Sequence, residues 1–551
     1  MSCVRMLLAV VLWIGSGAAP RAQDLVLQAQ GGASGAAFGS SLAVMPDIDG
    51  DGRLELLVGA PFDALGAGPL DGGFQGRACV LSGADGGLLL DSHGVEASEL
   101  YGWSVASPGD VDGDGVADLA VGAPNANGFR GRVVVISGAS GATLLQAVGD
   151  SAGDRFGWSL AGVGDMDGDG LPDLAVGAFD DSQPQIGSGS VRVLSLATGA
   201  TLLETGGLQA HDHLGSSLAA PGDADLDGVP DLVAGGELID GAYEDSGGVT
   251  LRSGASGAEL WLAVGQSAFE AFGHALAAVG DVDGDGVTDV LAGVPLVDSL
   301  GTDAGRAVLL SGATGGEILV LAPPFAFGQM GTSVCGAGDL DGDGVPDLAC
   351  GAPLAGDPAL AGPGAVAVFS GASGALLRDF EGTAELGGYG AALAAGDVDD
   401  DGAPDLLVGA PWEGGSPLGP GVVRLYSGDA WVNLGSALAG ASGAPQITAQ
   451  GVAAEGQPVS LGLQGALPGA ACVLLIGTQP LLAGFKGGTL VPDPLWASPA
   501  LPVGPDGTLE LSGTWPPGAP AGTSFFFQWW IVDPGAPQGW AATEGLAVVV
   551  S

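Results

Sequence analysis

One stretch of the chain reads Asp110-Val111-Asp112-Gly113-Asp114-Gly115-Val116-Ala117-Asp118 and runs straight into Leu119-Ala120-Val121-Gly122-Ala123-Pro124. Carboxylates at positions 1, 3, 5 and 9, with Gly at position 6, describe a tightly curved loop whose alternate side chains turn inward. The six residues that follow are apolar or small and stop at Pro, which reads as a short buried strand. A hairpin of two strands around an acidic loop is therefore the unit to look for elsewhere.

The unit recurs. The form D-x-D-x-D-G-x-x-D/E begins at Asp47, Asp110, Asp165, Asp223, Asp281, Asp339 and Asp397, at intervals of 63, 55, 58, 58, 58 and 58 residues. A period this regular marks a repeat architecture. A large apolar residue and Gly precede each loop: Phe38-Gly39, Tyr101-Gly102, Phe156-Gly157, Leu214-Gly215, Phe272-Gly273, Met330-Gly331 and Tyr389-Gly390. Each unit then offers a first strand, the acidic loop, a second strand ending in Gly-Ala-Pro or a variant, a loop of variable length and a third strand. A small-residue turn such as Ser137 to Gly141 leads to a fourth strand. Four short strands per unit, seven times, predict an all-β chain whose main body is a seven-bladed β-propeller. The last unit stops after its third strand, Val422 to Tyr426, while Leu25 to Gln30 reads as a stray fourth strand. The N-terminal strand is expected to complete the last blade and close the ring, which removes exposed edges.

The loops offer oxygen ligands only. Four carboxylates in nine residues repel one another unless a cation lies among them, and an all-oxygen cage suits Ca²⁺ rather than Zn²⁺. The expected ligands are Asp47, Asp49, Asp51, Arg53 and Glu55 in the first loop, and Asp110, Asp112, Asp114, Val116 and Asp118 in the second. They are Asp165, Asp167, Asp169, Leu171 and Asp173 in the third, and Asp223, Asp225, Asp227, Val229 and Asp231 in the fourth. The fifth has Asp281, Asp283, Asp285, Val287 and Asp289, and the sixth Asp339, Asp341, Asp343, Val345 and Asp347. The seventh has Asp397, Asp399, Asp401, Ala403 and Asp405. Position 7 would act through its main-chain carbonyl. Up to seven calcium ions are expected. An EF-hand needs Glu at position 12 and a following helix; here position 12 is Val58, Val121, Val176, Ala234, Ala292, Cys350 or Val408, inside an apolar run. Turn formation alone does not call for four carboxylates at fixed offsets.

These residues resemble FG-GAP repeats, as in the N-terminal propeller of integrin α subunits. The resemblance covers roughly residues 25 to 428 and implies calcium held in the hairpin between the first and second strands of a blade. Integrin propellers carry such loops in some blades; this chain has one in each. The near-uniform spacing leaves no room for an inserted domain.

Composition bounds the rest. The 551 residues carry 63 Asp+Glu against 13 Lys+Arg, a formal charge of -50, which argues against nucleic acid and anionic membranes as partners. Mean hydropathy is +0.40, but the apolar residues come in strand-length runs and no transmembrane segment is expected. Arg5 followed by Met6 to Ile14 and small residues reads as a signal peptide over residues 1–22, cleaved after Ala18 or Ala22. A secreted or cell-surface protein follows, with the propeller over 23–428 and a C-terminal β-sandwich-like domain over 429–551. In that domain Phe525 to Trp530 is expected to be a core strand rather than a sugar platform.

A non-catalytic, calcium-binding, integrin α-like binding or cell-adhesion protein is the expected function. The alternatives are an exported hydrolase of glycans or phosphoesters and a purely structural surface protein. The chain has four His and no nucleophile elbow, so no enzyme is expected. An unidentified protein or glycan ligand is expected on the face opposite the acidic loops, where the second-to-third loops carry Phe74, Phe129, Tyr243 and Trp412. His211-Asp212-His213 is read as a solvated loop before a metal site, and Cys335 and Cys350 as buried thiols before a disulfide.

Overall fold

The computed structural model describes residues 25–549 except 33, 65–72, 299–302, 325–327, 341–342, 356–361, 383, 385, 401–402, 415–418, 428–430, 434–444, 451–457, 465, 479, 486–487, 493–495, 499, 505–506, 515–523, 535, 537–539 and 544–545. The expected signal peptide lies outside the described residues. Among them, no helix is long and apolar enough to cross a membrane. The chain divides into two units, one running from Leu25 to Tyr426 apart from residues 340–342, the other holding Ser427–Ser551.

The first unit contains seven four-stranded antiparallel sheets. The second blade is typical: Ser104–Gly109, Asp118–Ala123, Arg132–Ile136 and Thr143–Val148 pair in sequence order. Its one helical turn, Ala126–Phe129, contains left-handed Asn127 and Gly128 and is a loop. The first strand of each blade packs against the first strands of its two neighbours, and Ser41–Met45 packs against Ala392–Gly396, so the ring is closed. Leu25–Gln30 pairs antiparallel with Val422–Tyr426 and completes the seventh sheet, as the sequence predicts.

Apolar side chains fill the gaps between blades. Leu57 and Val80 of the first blade share a cluster with Leu119 and Val121 of the second. The second strand of every blade is buried along its whole length, which explains why these runs read as apolar on both faces.

The Phe-Gly and Gly-Ala-Pro signatures meet across each seam. The amide of Gly102 donates to Gly122 O at 3.0 Å within its blade, while its carbonyl accepts the Ser41 hydroxyl of the preceding blade at 3.0 Å. The corresponding serine bond recurs from Ser104 to Gly157, Ser159 to Gly215, Ser217 to Gly273 and Ser333 to Gly390. The second-strand glycine is wedged against this contact: a Cβ on Gly122 would lie 2.2 Å from both Gly157 O and Ser104 Oγ. Backbone fits so closely there that any side chain separates two blades.

Cys335 lies opposite Ala349, and Cys350 opposite Val334, on paired strands. Side chains alternate faces along a strand, so the two sulfurs point to opposite sides of the sheet. Both thiols are free and buried.

The second unit is also β. Strand Ser524–Val532 lies between Ala471–Gly477 and Leu546–Val549 in a seven-stranded sheet, beside a three-stranded sheet of Gln446–Gln450, Pro458–Gln464 and Leu509–Thr514. Phe525, Phe527 and Trp529 share one cluster with Ile447 and Leu463. Trp529 and Trp530 are buried, so this run is core and not a sugar platform.

Gly122→Ala should lower stability by about 3 kcal/mol, read as a shift in urea midpoint with unchanged cooperativity.

Candidate metal centres

Position 9 of each acidic loop is also the first residue of the second strand. Glu55, Asp118, Asp173, Asp231, Asp289, Asp347 and Asp405 are each at most 1% exposed. A carboxylate so placed must be hydrogen-bonded, and it is. Asp118 Oδ2 accepts Val111 N–H at 2.7 Å, and Asp118 Oδ1 accepts Gly138 N–H of the turn between third and fourth strands at 2.9 Å. Asp231 does the same with Ala224 and Gly254, and Asp289 with Val282 and Gly312. Glu55 reaches Gly83 at 3.0 Å, and Asp347 reaches Gly371 at 3.0 Å. The position 9 carboxylate thus staples the acidic hairpin to the neighbouring turn. The sequence reads it as a ligand alone; this second role depends on a turn some 20 residues away.

The remaining loop residues organise themselves. Asp110 accepts Gly113 N–H at 2.7 Å and Gly115 N–H at 2.8 Å, while Asp114 accepts Val116 N–H at 2.9 Å. The same pattern holds at Asp165 and Asp281. The chain is left-handed at position 4, with φ of 75° at Gly113, 77° at Gly168 and 78° at Gly284. Position 6 is also left-handed, as at Gly115 with φ 90°. The fourth and seventh loops force non-glycine residues into the same shape, Leu226 at φ 61° and Asp400 at φ 57°. Leu226 is 76% exposed, so no packing compensates its strain.

Carboxylate oxygens converge within 4.8 Å in Asp47, Asp49, Asp51 and Glu55 of the first loop. Positions 1, 3 and 9 converge in the second, third and fourth loops, and Asp281, Asp283 and Asp285 in the fifth. In the sixth and seventh loops Asp341 and Asp401 lie outside the described residues.

Electrostatics follows from this packing. Burial pushes Glu55, Asp118, Asp231 and Asp289 above the usual carboxylate range, against the pull of their amide partners. Asp173 goes furthest, to about 6, with burial the main cause. Its turn places Leu196 where the others have Gly, and Asp173 Oδ1 lacks a partner in hydrogen-bonding geometry. Asp47, half-buried at the start of its loop, moves the other way, lowered chiefly by the amides of Gly52 and Gly50. In the first five loops the buried position 9 carboxyl therefore resists ionisation. The donors are all oxygens, which fits a hard divalent cation.

Six segments match the FG-GAP repeat: residues 38–78, 101–136, 156–194, 272–310, 330–369 and 389–430. The chain is an FG-GAP repeat protein. The unmatched blade is the fourth, which has Leu214 in place of the aromatic residue and Gly235-Gly236-Glu237 in place of Gly-Ala-Pro. It is nonetheless built like the others, from Leu214–Gly222 through Glu259–Val264. The chain is similar to integrin alpha-3 of Cricetulus griseus, 37% identical over 158 residues, 27% of this chain and 14% of that one. Integrin alpha-V of Gallus gallus is 37% identical over 155 residues, 26% and 15% of the two chains. Integrin alpha-5 of Xenopus laevis is 32% identical over 234 residues, 39% and 22%. The match covers less than a quarter of each of these relatives.

The other end of the FG-GAP blades differs in character. The second-to-third and fourth-to-first loops meet there, as where Tyr101 N–H donates to Gln75 O at 3.1 Å. Among the described residues sixteen non-glycine residues are left-handed, and all but Leu226 and Asp400 lie in these loops. Phe129, Tyr243 and Trp412 are exposed, joined by Val95, Ile186, Leu208 and Phe269. Phe74 packs edge-on against Phe62 at 5.8 Å. Sequence reading missed an aromatic stack: Trp103 on Trp158 at 4.6 Å, then Phe179 at 4.3 Å, then His213 at 5.2 Å. Comparing the residue after each Phe-Gly pair across the seven repeats would have exposed it. Asp212 is buried and accepts Gln209 N–H at 2.7 Å, so the His211 to His213 segment is not a freely solvated loop.

Leu226→Gly should raise stability by about 1 kcal/mol, since relief of left-handed strain exceeds the entropy cost of Gly; calorimetry of the two proteins checks it. Asp118→Asn should cost about 2 kcal/mol, because its amide sets a donor against one of two buried N–H groups, and chemical denaturation reads this directly.

Proposed function

We propose that the protein is an exported, calcium-loaded propeller that acts as an extracellular binding or cell-adhesion protein. Calcium would be held in each of the seven acidic loops by the carboxylates of positions 1, 3, 5 and 9 and the carbonyl of position 7. The ion would supply the charge that lets a buried carboxylate and its neighbours ionise together. In this reading calcium is structural: it rigidifies the hairpins on one face while the partner meets the other.

One observation carries the partner face. Left-handed residues gather on the loops opposite the acidic hairpins, and the exposed large apolar side chains of the blades lie on those loops or on the fourth strands, whereas Leu226 is the one exposed large apolar side chain of the acidic hairpins among the described residues. Clustered exposed apolar surface marks interaction sites, and strain concentrates where loops serve recognition. Phe129, Tyr243 and Trp412 are the proposed anchors, for an extracellular protein or a glycan.

Removing calcium with a chelator should lower the melting temperature on the order of 10 °C, because ion binding is coupled to folding. An unchanged melt would exclude the calcium reading. Cell adhesion to immobilised protein, alongside a glycan array, tests the partner. The combined Phe129→Ala and Tyr243→Ala variant should reduce binding at least ten-fold while keeping the calcium-dependent melt; full binding by that variant would place recognition elsewhere.

A further inference from the structure

The seven repeats serve as controls for one another along their outer strands. Each outer strand pairs with the third strand on one side only and forms the edge of its blade. One exposed position on this edge has the same register in all seven blades, opposite the third residue of the third strand. Five blades place a polar residue there: Asp91, Gln146, Glu204, Asp379 or Gln28. Polar and charged residues so placed guard an edge against pairing with another chain. The fourth and fifth blades instead have Leu262, 44% exposed, and Val320, 51% exposed. In the fourth blade Leu260 and Val264 are exposed as well, within the six residues of Glu259–Val264. A bulge at the start of the strand is common to all seven edges, so it does not set this one apart.

This edge runs up to the variable face. A Cβ on Gly241 would lie 2.8 Å from Val264 Cγ2, and Gly241 N–H donates to Tyr243 O at 3.3 Å. The loop of exposed Tyr243 therefore lies against the end of the strand. Exposed Phe269 joins the same loop, its N–H donating to Asp245 O at 3.1 Å.

We propose that the outer edge of the fourth blade, Glu259–Val264, binds an extended basic polypeptide segment by strand addition. An edge offers a row of main-chain groups that another strand matches. Alternate apolar side chains of the guest would lie beside Leu262 and Val264 on one face of the sheet. The edge is held in place beforehand: Trp261 Nε1–H donates to Gly312 O of the fifth blade at 2.8 Å, on the face away from Leu262. Charge selects the guest. Asp240 and Glu244 are exposed in the loop beside the strand, and a formal charge of -50 repels a second copy while it attracts a basic segment. The proposal extends the reading of Tyr243 as an anchor from the loops down to the rim.

The test uses the full chain with calcium at physiological ionic strength, which screens diffuse charge attraction. The probe is a fluorescent peptide of alternating Lys and Val, long enough to span the strand. Its anisotropy should rise to saturation at one equivalent. Leu262→Glu, which copies the third blade at this position, should weaken binding about ten-fold or more, with the melt unchanged. Gln146→Glu in the second blade should leave binding as it is. The same peptide N-methylated at alternate residues keeps its charge but cannot pair, and should not bind. Absence of binding by the parent peptide overturns the proposal. So does equal binding by Leu262→Glu or by the N-methylated peptide, either of which would assign the contact to the acidic surface at large. Sedimentation velocity should show a monomer; a dimer abolished by Leu262→Glu would give the edge to a second copy instead. The assay leaves out the adhesion ligand of the variable face, so either reading can fail alone.

Discussion

A buried carboxylate at the head of each second strand is the interaction on which the rest of the blade depends. Asp118 shows the logic. It is fully buried, its two oxygens accept amides from two different turns, and the strand it begins is one of the two inner strands of its blade. Moving a carboxylate out of water costs several kcal/mol unless its lone pairs are met. The hairpin and the third-to-fourth turn are therefore held at a fixed separation, and the acidic loop inherits its shape from that clamp. The clustered aspartates are a consequence of it as much as of their own spacing.

The same strand sets the seam between blades. Its glycine leaves no room for a side chain, so the carbonyl of the next blade's Phe-Gly pair approaches directly and takes a serine hydroxyl from the blade before it. One end of the second strand anchors the acidic loop, and the other, through this seam, positions the loops of the opposite face. A rigid strand between two sets of loops is what allows one set to be uniform and the other to vary. The third strands contribute charge to this arrangement. Arg132 pairs with buried Glu99 at 2.5 Å and Arg306 with Glu270 at 3.3 Å, so basic residues that are rare in the chain serve the packing of the variable face.

Much of this was legible in the residues. The period of the acidic motif announced the blades, and the orphan strand at Leu25 to Gln30 announced how the ring closes, because an unmatched fourth strand at one end and a blade lacking one at the other have a single economical solution. In the C-terminal unit the core strand through Phe525 to Trp530 was legible too, from its apolar run. What escaped was whatever needed two distant segments at once. Asp118 reads as a ligand because its neighbours in sequence are aspartates; its bond to Gly138 has no local signal. The left-handed shape at position 4 of the loop has no local signal either, since Leu226 and Asp400 adopt it as the glycines do.

Sequence alone determined the repeat, the all-β class and the acidic hairpins, because each is written in local spacing: period 2 for strands, nine residues for a loop, about 58 for a blade. Tertiary structure alone decided which oxygens meet, that Cys335 and Cys350 face apart, and that Trp103, Trp158, Phe179 and His213 form one stack. Those facts depend on register across strands and on contacts between neighbouring blades. A one-residue shift in pairing reverses a side chain's face, and residues some 20 to 60 apart in the chain become neighbours only when the ring has closed.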